Sequence, residues 1–360
     1  MPAMQNQDIQ LILGNANKRF SGVTSTMLQV LQHQKLLCNT AVLGKHHLGA
    51  NDTAISFLQL IALSRSTLKN GRYRVFHARR NLEMIQALIA KNIFGAKLKI
   101  VFTSTAQRHH SWLSRWLMQQ VDGIVSTCSA AAAFLTQRPP DIIIPHGIDA
   151  QRYKPVDEKK TAWQSLGYPG NRGVGIFGRV RHSKGIDIFV DAALAVANDF
   201  PDTTFVICGE CIDKDLPYQQ ALQNKITQAN LQQRFMFLGE QPFEKLPTLF
   251  SAMSVVCALS RNEGFGLTPL EAMASGSAVL CSEAGAWPDI VAQGVEGYRV
   301  PIDDVQATQH QLTTMLSDEA TTQQMGRHGR EKVLHHYTVE KEAKALTAYF
   351  LELANDAAKP

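Results

Sequence analysis

The chain has 360 residues, 45% hydrophobic and 19% charged, which is enough apolar content for two sizeable cores and too little charge for a disordered polymer. No apolar run is long enough to span a bilayer, and Met1–Asp8 lacks the basic start and apolar core of a secretory signal. The net charge of +5 is divided unevenly, with 16 Lys and Arg against 6 Asp and Glu in residues 1–150 (+10) and 20 against 25 in residues 151–360 (−5), so the first half predicts an anionic partner: nucleic acid, lipid headgroups or an acidic glycan.

Short apolar runs alternate with helical stretches along the whole chain. In the first half, strands are expected at Ile9–Leu13, Thr40–Leu43, Tyr73–His77, Leu98–Thr103, Gly123–Thr127 and Asp141–Pro145. In the second half they are expected at Gly173–Phe177, Thr203–Cys208, Arg234–Leu238, Val255–Ala258, Ala278–Cys281 and Gly297–Val300. This alternation predicts an α/β protein with two doubly wound, Rossmann-like domains, each binding its ligand at the carboxyl ends of its strands. Pro145-His-Gly-Ile-Asp149 closes the first half, and the polar Gln151–Arg172 follows as a linker with a short helix. The expected domains are 1–148 and 149–338, with a helix in 339–360 that packs back across both.

The first strand runs into Gly14-Asn-Ala-Asn-Lys-Arg-Phe-Ser-Gly22, a polar loop opening a helix near Gly22. It lacks the dinucleotide G-x-G-x-x-G pattern, yet can bring a helix N-terminus to a diphosphate. Trp112 and Trp116 stand four apart beside Arg115, a spacing that suits either a membrane surface or core packing. Strand Gly173–Phe177 leads into Gly178-Arg-Val-Arg-His-Ser-Lys-Gly185, where Arg179 and Lys184 can neutralise a diphosphate without a metal. The six cysteines are scattered in apolar runs and predict reduced, buried thiols; Cys208-Gly-Glu-Cys211 has no second pair to complete a zinc set. Asp213-Lys-Asp215 has a metal-binding spacing but reads as a solvated loop, so no metal is expected.

The strand ending at Leu259 enters Arg261-Asn-Glu-Gly-Phe-Gly-Leu-Thr-Pro-Leu-Glu-Ala-Met-Ala-Ser-Gly276. Gly264 and Gly266 let backbone amides approach a ligand, and Thr268-Pro269 look like the start of a helix. Glu263 and Glu271 bracket this turn. Free amides suit phosphate, whereas carboxylates suit the hydroxyls of a sugar or ribose. Thr268-x-x-Glu271 is equally a capping box in which Glu271 only satisfies the helix start.

Gly178-Arg179…Lys184-Gly185 together with Glu263-x7-Glu271 resembles the retaining nucleotide-sugar glycosyltransferases of family 4 (glycosyltransferase group 1). His146-Gly-Ile-Asp149 looks like that family's usual N-G-V-D at the crossing between domains. The resemblance implies a GT-B fold: two Rossmann-like domains facing across a cleft, with a C-terminal crossover helix. By the same resemblance, 149–338 is the nucleotide-sugar domain, with Arg179 and Lys184 on the diphosphate, Glu271 on the ribose and Glu263 on the transferred sugar. Amides of Phe265, Gly266 and Leu267 would line the phosphates and sugar, and Gly22 would close from the other domain.

A narrower resemblance lies in His77-Ala-Arg-Arg-Asn-Leu-Glu-Met84 and Phe102-Thr-Ser-Thr-Ala-Gln-Arg-His-His110, which are similar to bacterial lipopolysaccharide-core mannosyltransferases. It implies that 1–148 binds an anionic glycolipid acceptor of Kdo–lipid A type through His77, Arg79, Arg80, Arg108, His109 and His110. The donor would be GDP-mannose and no cofactor or metal would be needed. The enzyme would work in the cytoplasm on the inner face of the membrane, with no nucleic acid as partner. Many relatives carry a donor-contacting histidine where this chain has Thr103 or Ser104; His77, His109 or His110 can supply the imidazole instead, with His77 the better candidate, and a satisfied core histidine is the other reading of His77. Other classes consistent with the motifs are a UDP-glucose or UDP-galactose hexosyltransferase of surface-glycan synthesis, a GT-B nucleotide-sugar epimerase, and an inactive binding homologue.

Overall fold

The computed structural model describes residues 8–18 and 21–355. Most of Met1–Asp8, Arg19 and Phe20 of the first loop, and the last five residues lie outside that range. The chain divides into two compact units, Met1–His146 with Val339–Pro360, and Gly147–Thr338.

The first unit is built on a parallel sheet of seven strands: β1 (Leu11–Gly14), β2 (Thr40–Leu43), β3 (Ala54–Ile55), β4 (Arg74–Ala78), β5 (Leu98–Ser104), β6 (Gly123–Ser126) and β7 (Ile142–Ile143). Their order is β3-β2-β1-β4-β5-β6-β7. The second unit has six parallel strands, β8 (Arg172–Phe177), β9 (Thr203–Cys208), β10 (Phe235–Gly239), β11 (Met253–Ala258), β12 (Ala278–Ser282) and β13 (Gly297–Val300), in the order β10-β9-β8-β11-β12-β13. Strands β1, β2, β4, β6, β9 and β12 are buried along their whole length, as central parallel strands covered by helices on both faces must be. Each sheet reverses direction once, between β1 and β4 and between β8 and β11, and these are the points where such sheets open a crevice.

The helix expected beyond residue 339 runs Val339–Asn355 and belongs to the first unit. Val339, Ala343, Leu346, Phe350 and Ala354 form a stripe at helical spacing, buried with Leu11, Leu13, Val75, Val101 and Val125 of the sheet. The two crossings of the chain are tied on each side. In the first unit His146 Nδ1 lies 2.8 Å from Glu342 Oε1, and in the second Ile148 bridges Thr338 and donates its amide to Tyr337 O. Among the described residues no helix is long and apolar enough to cross a membrane.

Candidate functional site

In the second unit the chain leaves β8 through Gly178 at φ 134°, and β11 delivers Leu259 to the loop before the helix Thr268–Ala274. These two loops are locked together. Gly185 sits at φ 67°, and a β-carbon there would stand 2.0 Å from the Leu259 carbonyl. Arg261 grips Asp187, at the start of the next helix, with two nitrogens at 2.8 and 2.9 Å and reaches Asp303 at 2.5 Å. The hydrogen bonds to Asp187 hold its guanidinium above the usual arginine range. Arg261 was visible in the sequence motif, but its partners, 74 residues back and 42 residues on, were not.

This lock brings Lys184 and Glu263 together as an ion pair, Nζ to Oε2 2.5 Å. Glu263 also accepts from Ser260 Oγ at 3.4 Å and from the Gly264 amide at 3.2 Å. The loop folds tightly beneath it. Gly266 has φ 75°, and a β-carbon there would meet Glu263 Cγ and Trp287 Nε1, each at 2.6 Å. Trp287 is buried and donates its indole N–H to the Gly266 carbonyl, a support the sequence motif did not reveal. Phe265 is buried below, and Leu267 is the residue that starts the helix.

The capping box is not formed. Thr268 is already the first helical residue, with no side-chain cap. The Glu271 carboxylate turns away from the helix start and accepts instead from Tyr153 Oη at 2.9 Å. Burial pushes the Glu271 carboxyl up to about 7, opposed by the Tyr153 hydrogen bond and by Arg152. Burial and the adjacent Glu271 also raise the Tyr153 phenol far above its usual range, so Tyr153 remains a donor. Tyr153 lies in the linker, 118 residues from Glu271, where no local signal marks it.

A cavity of about 350 Å³ opens above these strand ends. It follows the sheet outward from the reversal point: Gly178 and Arg179 after β8, Gly209 and Glu210 after β9, Glu240 and Gln241 after β10. Thr268 and Glu271 form the inner wall, with Phe177 and Phe250 beneath, stacked at 4.0 Å. One cation, Arg179, and three carboxylates, Glu210, Glu240 and the desolvated Glu271, make a cavity that can meet an anionic group and several hydroxyls of one elongated polar ligand. Asp213 and Asp215 lie on a short turn away from this lining. Among the described residues no group of three His, Cys, Asp or Glu is placed to hold a metal ion. All six cysteines are free, and Cys211 alone of them is not buried.

The first unit places the residues expected at an acceptor very differently. His77 is fully buried, its Nε2 2.7 Å from Thr103 Oγ1 and its ring 4.8 Å from Phe350. Burial first, then Arg79 and His146, hold its pKa well below the usual histidine range, so it is a neutral core imidazole. The expectation that His77 contacts an acceptor is therefore corrected, because its side chain does not reach the surface. Arg80 is also engaged internally. Its guanidinium binds Glu83 at 3.1 Å, Ser21 Oγ at 3.1 Å and Thr24 Oγ1 at 3.0 Å, tying β4 to the helix that Gly22 opens. Glu83 is wholly buried and also accepts the amides of Arg79 and Arg80 at 2.7 and 3.1 Å. Burial lowers Arg79 to about 10, with Glu342 and Glu83 opposing. Arg108 and His109 stay exposed, and His109 meets Phe134 edge-on at 5.5 Å. His110 is half-buried, with Nε2 3.2 Å from Ser104 Oγ, and burial then Arg108 lower its pKa. The space around Gly22 is open, with nothing within 4 Å of where a β-carbon would stand. Trp112 and Trp116 are exposed, which removes core packing as their role.

Comparison with known proteins matches residues 157–332 to the family described as glycosyl transferases group 1. Two lipopolysaccharide core biosynthesis mannosyltransferases align over nearly the whole chain. LpsB of Rhizobium meliloti (strain 1021) is 36% identical over 352 residues, covering 96% of this chain and 98% of that protein. LpcC of Rhizobium leguminosarum bv. viciae is 34% identical over 351 residues, covering 97% and 98%. Among solved structures, HepE of Anabaena in complex with UDP is 18% identical at a TM-score of 0.81, covering 96% of this chain and 100% of that one. That likeness is one of fold and puts the paired parallel sheets in the GT-B class.

Proposed function

From the premise that this chain belongs to the glycosyl transferases group 1 family, we propose that it transfers α-mannose from GDP-mannose, with retention, to a Kdo–lipid A type acceptor of the lipopolysaccharide inner core. The observation that carries this reading is the placing of Arg179 and Glu271 in one cavity along the strand ends of the second unit. It is supported by the whole-length likeness to two lipopolysaccharide core mannosyltransferases.

In this reading the diphosphate lies at the β8–β11 reversal, against Arg179 and the amides of Phe265, Gly266 and Leu267. Glu271 accepts the ribose hydroxyls. Lys184 and Glu263 neutralise each other in the free site, and the donor exchanges that contact for two others. Lys184 turns to the phosphate and Glu263 to hydroxyls of the sugar. The bond from sugar C1 to the phosphate oxygen breaks, and the acceptor oxygen bonds C1 on the same face. Its proton passes to the leaving phosphate. Arg179 and Lys184 meet the negative charge that grows there, the task a divalent cation performs elsewhere, and act most strongly in the transition state. The basic first unit supplies the acceptor side, through Arg108, His109 and His110, at a membrane-borne glycolipid.

The test is a panel of nucleotide sugars offered with and without a Kdo–lipid A acceptor, in EDTA. Mannosylated acceptor of α configuration, formed from GDP-mannose alone and unaffected by chelation, is the expected result. Conversion of the donor without acceptor would instead identify an epimerase, and preference for UDP-glucose or UDP-galactose another hexosyltransferase.

A further inference from the structure

The helix Trp112–Gln119 in the first unit has an outward face that ordinary solvation does not explain. Ser114, Leu117 and Met118 point into the core, so Trp112, Arg115, Trp116 and Gln119 point out. Trp112 is 73% exposed and Trp116 52% exposed, and they stand one turn apart on that face. The N-terminus of a neighbouring helix carries a third apolar side chain, Leu82, 51% exposed. Its neighbour Asn81 donates to Ser114 Oγ at 2.8 Å, which fixes the two helices side by side.

The stretch of chain that carries this helix is basic, and its exposed cations at the helix and the loop before it are Arg108 and Arg115. Between Glu83 and Asp122 the chain carries no acidic residue and five Lys or Arg. Glu83 is buried and Asp122 is held by Lys91 at 2.7 Å, so neither offers a free negative charge to the surface. Indole rings carry an apolar body and a polar N–H, and they gather where hydrocarbon meets headgroups. With cations between and beside them, the rings suit a surface that is apolar inside and anionic outside.

We propose that the outward face of the helix Trp112–Gln119, with Leu82, Arg108 and Arg115, docks this protein on an anionic lipid bilayer. The proposal rests on the reading of a membrane-borne acceptor and names the element that brings the first unit to it. The helix is too short to cross the bilayer and lies on it, its tryptophans at the depth of the headgroups. A second copy of the chain fits the face less well, because a symmetric contact would set the same cations against each other.

The experiment measures binding to phosphatidylcholine vesicles with and without phosphatidylglycerol. Of the four tryptophans, Trp163 and Trp287 are buried, so protection from acrylamide quenching reports on Trp112 and Trp116. Wild-type protein is expected to bind only the anionic vesicles, to lose binding as salt rises, and to show that protection. Trp112→Ser with Trp116→Ser should weaken partition by about 10-fold or more. Arg115→Gln, a surface change that leaves packing untouched, should weaken it about 5-fold. The donor-induced thermal shift of these variants, taken without lipid, should equal that of wild type. Equal binding to neutral vesicles, or unchanged binding by both variants, overturns the proposal. A dimer in sedimentation that the double variant dissolves overturns it in favour of a second copy. Absence of any donor shift in wild type would sink the glycosyltransfer reading and leave the vesicle result standing on its own.

Discussion

The two units hold comparable numbers of cations and use them in opposite ways. In the second unit Arg179 lines a cavity at the strand ends and Lys184, in the same loop, pairs with Glu263, on loops where a side chain at Gly185 or Gly266 would clash. In the first unit Arg79 and Arg80 also leave the end of a strand, yet Arg80 binds the buried carboxylate of Glu83 and Arg79 is itself buried, under the influence of Glu342 and then Glu83. A paired carboxylate does not by itself remove a cation from a site: Lys184 meets Glu263, which stays partly exposed, whereas Arg80 meets Glu83, which is wholly buried. The Arg80–Glu83 spacing of three residues at a helix start was the signal that could have shown this.

Removing residues 339–360 should break the comparison most severely. The first unit loses Leu346 and Phe350, each contributing about 1.5–3 kcal/mol by burial, and His146 loses Glu342. That sum approaches the whole stability of a domain, so the first unit should unfold while the second keeps its own melting transition. Hydrogen exchange resolved by segment would show a uniform loss of protection instead if the two units melt as one.

Glu271→Gln should sharpen the picture of the second unit. With the capping box absent, the change replaces a charged acceptor by a neutral one, and donor affinity should drop about 10- to 100-fold. The pH response is distinct. Glu271 titrates near 7 in the fold and lower when unfolded, so the folded chain holds the extra proton. Its contribution to stability is full below the unfolded pKa and is lost as pH rises toward about 7. The variant without ligand should therefore melt higher than wild type at pH 8 and match it at acid pH. Donor affinity of wild type should improve as pH rises through the same window. Calorimetry across pH checks both, and a flat difference between the two proteins would contradict the desolvated carboxyl.

Arg80→Ala should act on stability rather than on the acceptor. It strands a buried carboxylate, at a cost of about 1–3 kcal/mol, with the acceptor KM unchanged in the protein that remains folded. A raised acceptor KM at unaltered melting temperature would restore Arg80 to the acceptor site. Arg108→Ala, the smallest effect, should do the reverse: an acceptor KM higher by about 3- to 10-fold and no change in melting, since the side chain is exposed.

Twelve strands were legible because each lies in an apolar run between polar loops, the two-residue edge strand β7 within residues 142–144 included; β3 was not, because Ala54–Ile55 is an equally short edge strand with polar Thr53 and Ser56 on either side. The loop that carries Glu263 and Glu271 was legible because its residues are contiguous and strand–loop–helix geometry is local. What escaped notice was long-range. Tyr153 meets Glu271, Arg261 meets Asp187, and Trp287 supports Gly266, each across a separation that only the packed sheet closes. His77 misled for the same reason: the end of a strand is a place for chemistry, but here Phe350, arriving from the far end of the chain, covers it.

The stripe from Val339 to Ala354 has a consequence for how the molecule comes into being. The ribosome delivers the sheet of the first unit before the second unit, and the helix that completes one face of that sheet after it. Until then Leu11, Leu13, Val75 and Val101 have only Met27, Val30 and Leu31 of the helix Gly22–Leu37 as part of their cover, while the whole of the second unit, contiguous in sequence, has already emerged. The unit begun first is thus completed after the unit begun second, and the nascent chain carries a partly open apolar sheet while the second unit is made. A stall or frameshift between Thr338 and Val339 would yield a finished second unit attached to an unfinished, aggregation-prone first unit.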